Sequence, residues 1–259
     1  MSIALKASGT AKPRWEGPVV PYTIHPQLTE PVVTRIEQAI AQWESLTNIR
    51  FVRRMSEHDY AEFQNGQFAC FSKVGREGGK QTIDLVAGCS VAAIVHEIGH
   101  AVGLVHEHQR PDRDSFVTPQ PQNIIPGRQD NFTKKEASKT VRSNAYDLQS
   151  IMHYGTNTFS SNGQPTLVPV TPGATLDGSS TLTATDIAFV NSLYANVGIV
   201  RRTDSSDEGA GEVKSIAVAR DDTDTQVVTA VISKTGSLLL INWQVDALGA
   251  VIRQADSGT

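Results

Sequence analysis

The chain is short of cysteine, of surplus charge and of long apolar runs. Of its 259 residues only Cys70 and Cys89 are cysteines, 19 positions apart. They leave two readings open, a pair of free buried thiols or one disulfide. A bridge over that separation stabilises a fold by about 3 kcal/mol on the chain-entropy view, and it implies an oxidising compartment. Lys plus Arg number 23 against 27 Asp plus Glu, a formal charge of −4, so there is no bulk electrostatic reason to bind nucleic acid or anionic lipid. No apolar run approaches the roughly 18–20 residues of a membrane span. The start, Met1-Ser2-Ile3-Ala4-Leu5-Lys6, has no basic region followed by an apolar one and is not a signal peptide. It is expected to belong either to a leaderless chain or to one whose leader has been removed. With 39% hydrophobic and 19% charged residues the composition is that of a folded globular protein, long enough for one large domain or two smaller ones.

A strand-like run covers Val19 to Ile24. Pro31 then opens an amphipathic helix in which Val32, Ile36, Ala39, Ile40 and Trp43 recur at helical spacing. Strands are expected at Ile49–Val52, Tyr60–Phe63 and Gln81–Val86. Val91 to Val105 has a strong helical pattern with Gly103 as its stop. Residues 111–182 are rich in loop formers. Thr183 is placed to cap a last helix through Tyr194. After Gly198 four short strands are expected, at 213–219, 226–233, 237–245 and 250–253. Residues 200–205 faintly match 252–257 at a period of 52, which suggests a truncated repeat unit or a lone β appendage.

The informative stretch is His96-Glu97-Ile98-Gly99-His100-Ala101-Val102-Gly103-Leu104-Val105-His106. Histidines four apart share a helix face and can offer two imidazoles to one ion, with Glu97 beside them to take a proton from water. Gly103 can adopt a positive φ, letting the chain leave the helix and bring His106 to the same ion. Three neutral imidazoles and an open position make a catalytic zinc site rather than a structural one. The extended pattern HExxHxxGxxH has a chance of arising on the order of 10⁻⁵ in a chain of this composition, and it marks the metzincin metalloproteases when a Met-turn follows. His25 and His58 carry no motif and read as surface residues. His108 and His153 are not assigned to the metal.

The motif continues as His106-Glu107-His108-Gln109-Arg110-Pro111-Asp112-Arg113-Asp114, and Ser150-Ile151-Met152-His153-Tyr154 stands downstream. With Trp15 to Tyr22, Thr47 to Phe51, Val74-Gly75-Arg76, Gly79 and Gln81, the chain resembles the astacin family of zinc endopeptidases over most of residues 15 to 196. The resemblance implies an α+β, two-lobed metzincin-like catalytic domain with an active-site cleft. A sheet, backing helix and zinc helix would form one lobe. The third His, the Met-turn and the last helix would form the other, and a small all-β appendage would follow. The domains would be an N-terminal segment 1–14, the protease domain 15–198 and a β module 199–259. His96, His100 and His106 would bind one Zn²⁺, with Tyr154 as a fifth ligand that swings away to stabilise the tetrahedral intermediate. Glu97 would be general base and proton shuttle, and Met152 the floor beneath the ligands. Glu107 would lie behind the metal, tied to a buried mature N-terminus, or pair simply with Arg110 or Arg113. Cys70 and Cys89 sit where the family forms its short disulfide.

The family's second, long-range disulfide would need cysteines near Asn48 and after Tyr194, and there are none. Cleavage after Lys6 is expected to give the mature amine. An extended substrate is expected along an edge strand at Lys80, Gln81, Thr82 and Ile83. The loop Thr171 to Ser180 is the candidate for a basic wall beyond the scissile bond. The resemblance thus implies a secreted, monomeric hydrolase of protein or peptide substrates, with no nucleic-acid partner and no membrane span. The alternatives are a zinc-binding but inactive module whose C-terminal β region binds a glycan or protein, and an intracellular protein with free thiols.

Overall fold

The computed structural model describes residues 9–10, 13–15, 17–137, 140–141, 145–176 and 178–194, and the strands within 215–253. The chain divides into two compact units, 1–199 and 200–259. The first runs β1 (Gly9–Thr10), β2 (Val19–Ile24), α1 (Glu30–Leu46), β3 (Arg50–Arg53), β4 (Tyr60–Asn65), β5 (Phe71–Ser72), β6 (Lys80–Leu85) and α2 (Val91–Ala101), then β7 (Val117–Pro119), β8 (Thr140–Val141), β9 (Leu167–Pro169) and α3 (Ala184–Leu193). The second holds β10 (Ser215–Arg220), β11 (Gln226–Ile232), β12 (Leu238–Val245) and β13 (Val251–Arg253), an antiparallel meander in chain order. The expected cleavage point after Lys6 and most of the 52-residue repeat lie outside the described residues. No helix among the described residues is long and apolar enough to cross a membrane.

The main sheet has the order β3-β2-β4-β6-β5. Its first four strands pair in parallel, and β5 pairs antiparallel to β6. The apolar face of α1, with Ile36, Ala39 and Trp43 fully buried, joins Ile94, Val95 and Ile98 of α2 in the principal core. The Trp43 indole donates to the Val95 carbonyl at 3.1 Å, which locks α1 to α2. A second core gathers Val117, Ile124, Phe132, Leu167 and Leu176 beyond the zinc-helix motif. Phe189, Val190 and Tyr194 at the last helix pack in the principal core with Ile151 and Met152.

Helix α2 ends at Ala101 with Val102 as its cap, so Gly103 stops it as expected although the apolar pattern runs on to Val105. Gly103 takes φ +103°, and the Gly103 and Leu104 N–H groups fold back onto the carbonyls of His100 and Gly99. Val102, Leu104 and Val105 are apolar because they are buried in the turn, not because the helix continues. The edge segment expected at Lys80, Gln81, Thr82 and Ile83 is corrected at Ile83: β6 lies between β4 and β5, with Ile83 and Asp84 paired to Ser72 and Phe71, while among the described residues Lys80, Gln81 and Thr82 pair with β4 alone. The Gln81 side chain, buried, pins the loop before it by donating to the Gly75 carbonyl and accepting from the Glu77 N–H. Along Ile83 and Asp84 the edge is β5, too short for a periodicity to reveal.

Cys70 and Cys89 are bonded to each other, joining the start of β5 to the turn before α2. The tie that the absent long-range disulfide would supply is made by a hydrogen bond, in which the Asn48 N–H donates to Asn191 Oδ1 on α3 at 2.7 Å.

Candidate metal centre

Helix α2 starts where Ser90 accepts the Ala93 N–H and ends on carbonyls that have no partner within the helix. Two distant aromatics satisfy them. The Trp15 indole donates to Ala101 O at 2.9 Å, and the Tyr194 hydroxyl donates to Val102 O at 3.0 Å. The segment that carries His96 and His100 is therefore clamped from both ends of the domain sequence.

His96, His100 and His106 converge so that one ring nitrogen of each lies within 4.8 Å of the others. The Nε2 atoms of His96 and His100 are each 3.2 Å from that of His106. The Nδ1 atoms are committed elsewhere: His96 Nδ1–H donates to the Ile151 carbonyl at 2.7 Å, and His100 Nδ1–H to the Leu104 carbonyl at 2.9 Å. Those two bonds fix the tautomer, so both Nε2 atoms carry bare lone pairs. Burial lowers the pKa of all three rings, that of His100 to about 3, and keeps them neutral. Lone pairs turned towards one another repel unless a cation lies between them. Nitrogens bound at about 2.0–2.1 Å in a tetrahedron sit roughly 3.3 Å apart, close to the spacing seen. The residues present fit a zinc ion.

Glu97 is buried beside the triad. Burial lifts its carboxyl to about 7, against the pull of the Ser72 backbone N–H, which ties it to edge strand β5. Tyr154 packs its ring 4.6 Å from His106 and stacks on His108 at 3.9 Å and 25°. Phe132 and Phe159 meet the same ring edge-on. Phe159 has φ +56° where no glycine stands, a costly conformation that aims its ring at Tyr154. Burial raises the Tyr154 phenol to about 12, so its hydroxyl stays protonated.

Met152 is buried under α2, against Gly99, and its carbonyl accepts the Glu107 N–H at 3.0 Å. The Glu107 carboxylate pairs with the fully buried Arg110 at 2.8 Å and accepts the Asp147 N–H. The mature amine expected to meet Glu107 lies outside the described residues. Residues 171–180 contain no Lys or Arg, so a basic wall cannot come from that loop. The residues that sequence reasoning missed are Gly99, Ser72, His108 and Asp186. Gly99 sits inside the motif and was open to notice. Ser72 acts through its backbone N–H and His108 by stacking, for which residue type carries no signal, and the Asp186 carboxylate reaches the Met-turn only through long-range packing.

The sequence model of the astacin peptidase family matches residues 7–195. The chain belongs to the astacin family. Among its relatives in the family, Zinc metalloproteinase nas-12 of Caenorhabditis elegans is 37% identical over 211 residues, 75% of this chain and 55% of that protein. Blastula protease 10 of Paracentrotus lividus is 40% identical over 201 residues, 73% of this chain and 33% of that protein. The chain spans about half the length of the first of these relatives. A solved structure, High choriolytic enzyme 1, a hatching enzyme zinc-protease from the medaka fish Oryzias latipes, shares 35% identity with a TM-score of 0.63, over 71% of this chain and 93% of that one. The astacin fold thus covers the two-lobed unit and leaves the β meander outside the match.

Proposed function

We propose that the chain is a zinc-dependent endopeptidase that hydrolyses internal bonds of protein or peptide substrates. The observation that carries this reading is the convergence of three neutral imidazoles, those of His96 and His100 with Nδ1 already committed, beside the buried Glu97 in an astacin-family domain. His96, His100 and His106 would hold one Zn²⁺ per chain, with Tyr154 as a further ligand in the resting site. When bound, the metal supplies a Lewis acid and lowers the pKa of water towards about 7.

The chain's own groups do the rest. A Glu97 carboxylate oxygen accepts the proton of the attacking water and passes it to the leaving amine nitrogen, so the same group serves as base and then acid. The Tyr154 hydroxyl would donate to the oxygen on which negative charge develops. An extended substrate would add antiparallel to the free flank of β5 (Phe71–Ser72). Bonding there is main chain to main chain, which tolerates many side chains. Residues 15–198 would be the protease domain, 1–14 a separate N-terminal segment and 199–259 an added β module. The Cys70–Cys89 bridge supports a secreted protein working in an oxidising compartment. It would act as a monomer. Nothing in the site favours the inactive-module alternative.

Casein cleavage with and without a chelator tests the reading. Activity should vanish on chelation and return with stoichiometric zinc. Cleavage that survives a metal-free preparation would refute it.

A further inference from the structure

Asp186 is the third residue of α3 and completes its capping box, exchanging bonds with Thr183. A cap needs no more than that. Yet the carboxylate, almost wholly buried, also accepts the Ser150 hydroxyl at 2.6 Å and the Ile151 N–H at 3.0 Å. Ser150 Oγ in turn accepts the Met152 N–H at 3.0 Å. That N–H belongs to the same planar peptide as the Ile151 carbonyl, and the carbonyl accepts His96 Nδ1–H at 2.7 Å. One peptide plane is therefore held at both ends. From His96 to Asp186 every donor in the row points towards the carboxylate: imidazole N–H to carbonyl, peptide N–H to hydroxyl, hydroxyl to carboxylate. Hydrogen bonds aligned in one sense polarise one another. A ligating histidine whose second nitrogen donates into such a row is fixed in orientation and made more basic.

We propose that Asp186 is a positioning residue for the metal centre, acting through Ser150 and the Ile151–Met152 peptide to set the orientation and donor strength of His96. This rests on the reading of His96 as a zinc ligand. Asp186 lies 90 residues from His96 in sequence, and its cap role alone would explain its place on α3 but not its two bonds to the turn.

The test uses the full chain and two readouts. One is zinc affinity, measured by competition with a chelating dye. The other is the His96 Nδ1–H resonance in the metal-free protein labelled with ¹⁵N-histidine. Asp186→Asn and Ser150→Ala should each weaken zinc binding by about 10- to 100-fold and shift or broaden that resonance. Asn191→Ala is the control: it removes the tie from α3 to Asn48 and touches nothing in the turn. It should lower thermal stability and leave both readouts at their wild-type values. Wild-type affinity and resonance in a folded Asp186→Asn chain would overturn the proposal, as would an equal loss of affinity in Asn191→Ala. If Asp186→Asn does not fold, Ser150→Ala decides between the same two outcomes. A wild-type chain that binds no zinc, or a His96→Ala variant that binds it unchanged, would instead overturn the reading of the metal site, a separate result.

Discussion

Gly99 sits between the two histidines of α2, and its missing side chain is filled by Met152. A Cβ built there would lie 2.6 Å from Met152 Sδ, 3.4 Å from its Cε and 3.5 Å from Leu104 Cδ1. The sulfur contact is about 1 Å inside the separation at which non-bonded atoms attract best. Met152 is buried under the ligands and cannot swing into solvent. Gly99→Ala should therefore carry an overpacking penalty of about 1–3 kcal/mol, offset by up to about 1 kcal/mol of helix propensity. The expected net loss is about 0–3 kcal/mol in urea unfolding of the metal-free chain, with weakened zinc binding because the turn that orients His96 is pushed away. A double-mutant cycle isolates the cause. Met152→Ala alone should cost about 2–5 kcal/mol through its cavity. In the double variant the clash disappears, so the two losses should fall short of additivity by about 1–3 kcal/mol. A Gly99→Ala chain about 1 kcal/mol more stable than wild type, or a cycle additive to within about 0.5 kcal/mol, would refute the claimed contact.

Replacing Cys70 and Cys89 together with alanine should cost about 3 kcal/mol of stability in equilibrium unfolding; a loss under about 1 kcal/mol would mean that the bridge closes a loop already ordered in the unfolded chain. Burial depresses His100 and His108 to about 3 and His153 to about 4 in the folded state. The unfolded chain takes up their protons first, so the stability they contribute is complete above about pH 6.5 and is lost as pH falls from there towards 3–4. Glu97 and Glu107, raised to about 7 by burial, work in the opposite sense between about pH 7 and 4.5, so the rings are read directly: imidazole resonances of His100, His108 and His153 in the folded metal-free chain should not titrate between pH 8 and pH 5. Rings that titrate near 6.5 would contradict their burial. Phe159→Gly should relieve the strained backbone yet loosen the wall against Tyr154, lowering kcat for casein more than it changes KM; an unchanged kcat would show that the ring does not position the phenol.

Much of the site was legible because HExxHxxGxxH couples residue type to helix geometry. The four-residue spacing places His96 and His100 on one face, and Gly103 reverses the chain towards His106 as its positive φ permits. α1 and α3 were legible for the same reason, periodicity in one and a capping residue in the other. The edge strand was not, since β5 has two residues and its place in the sheet depends on long-range pairing with β6. The end of α2 was legible from Gly103 but not from the apolar pattern, since Val102, Leu104 and Val105, buried in the turn, imitate helical period. Asp186 reads as a helix cap in any sequence. Its bonds to Ser150 and Ile151 arise only because α3 packs beside the Met-turn in the principal core.

The central claim is that Glu97 moves the proton at a metal held by His96, His100 and His106. Zinc content and casein cleavage measured together on the wild-type chain and on Glu97→Ala test it most directly. The account predicts one zinc per chain in both, with cleavage by the wild type and a loss of at least about 10²-fold in the variant. Cleavage undiminished in a Glu97→Ala chain that holds its zinc would contradict it.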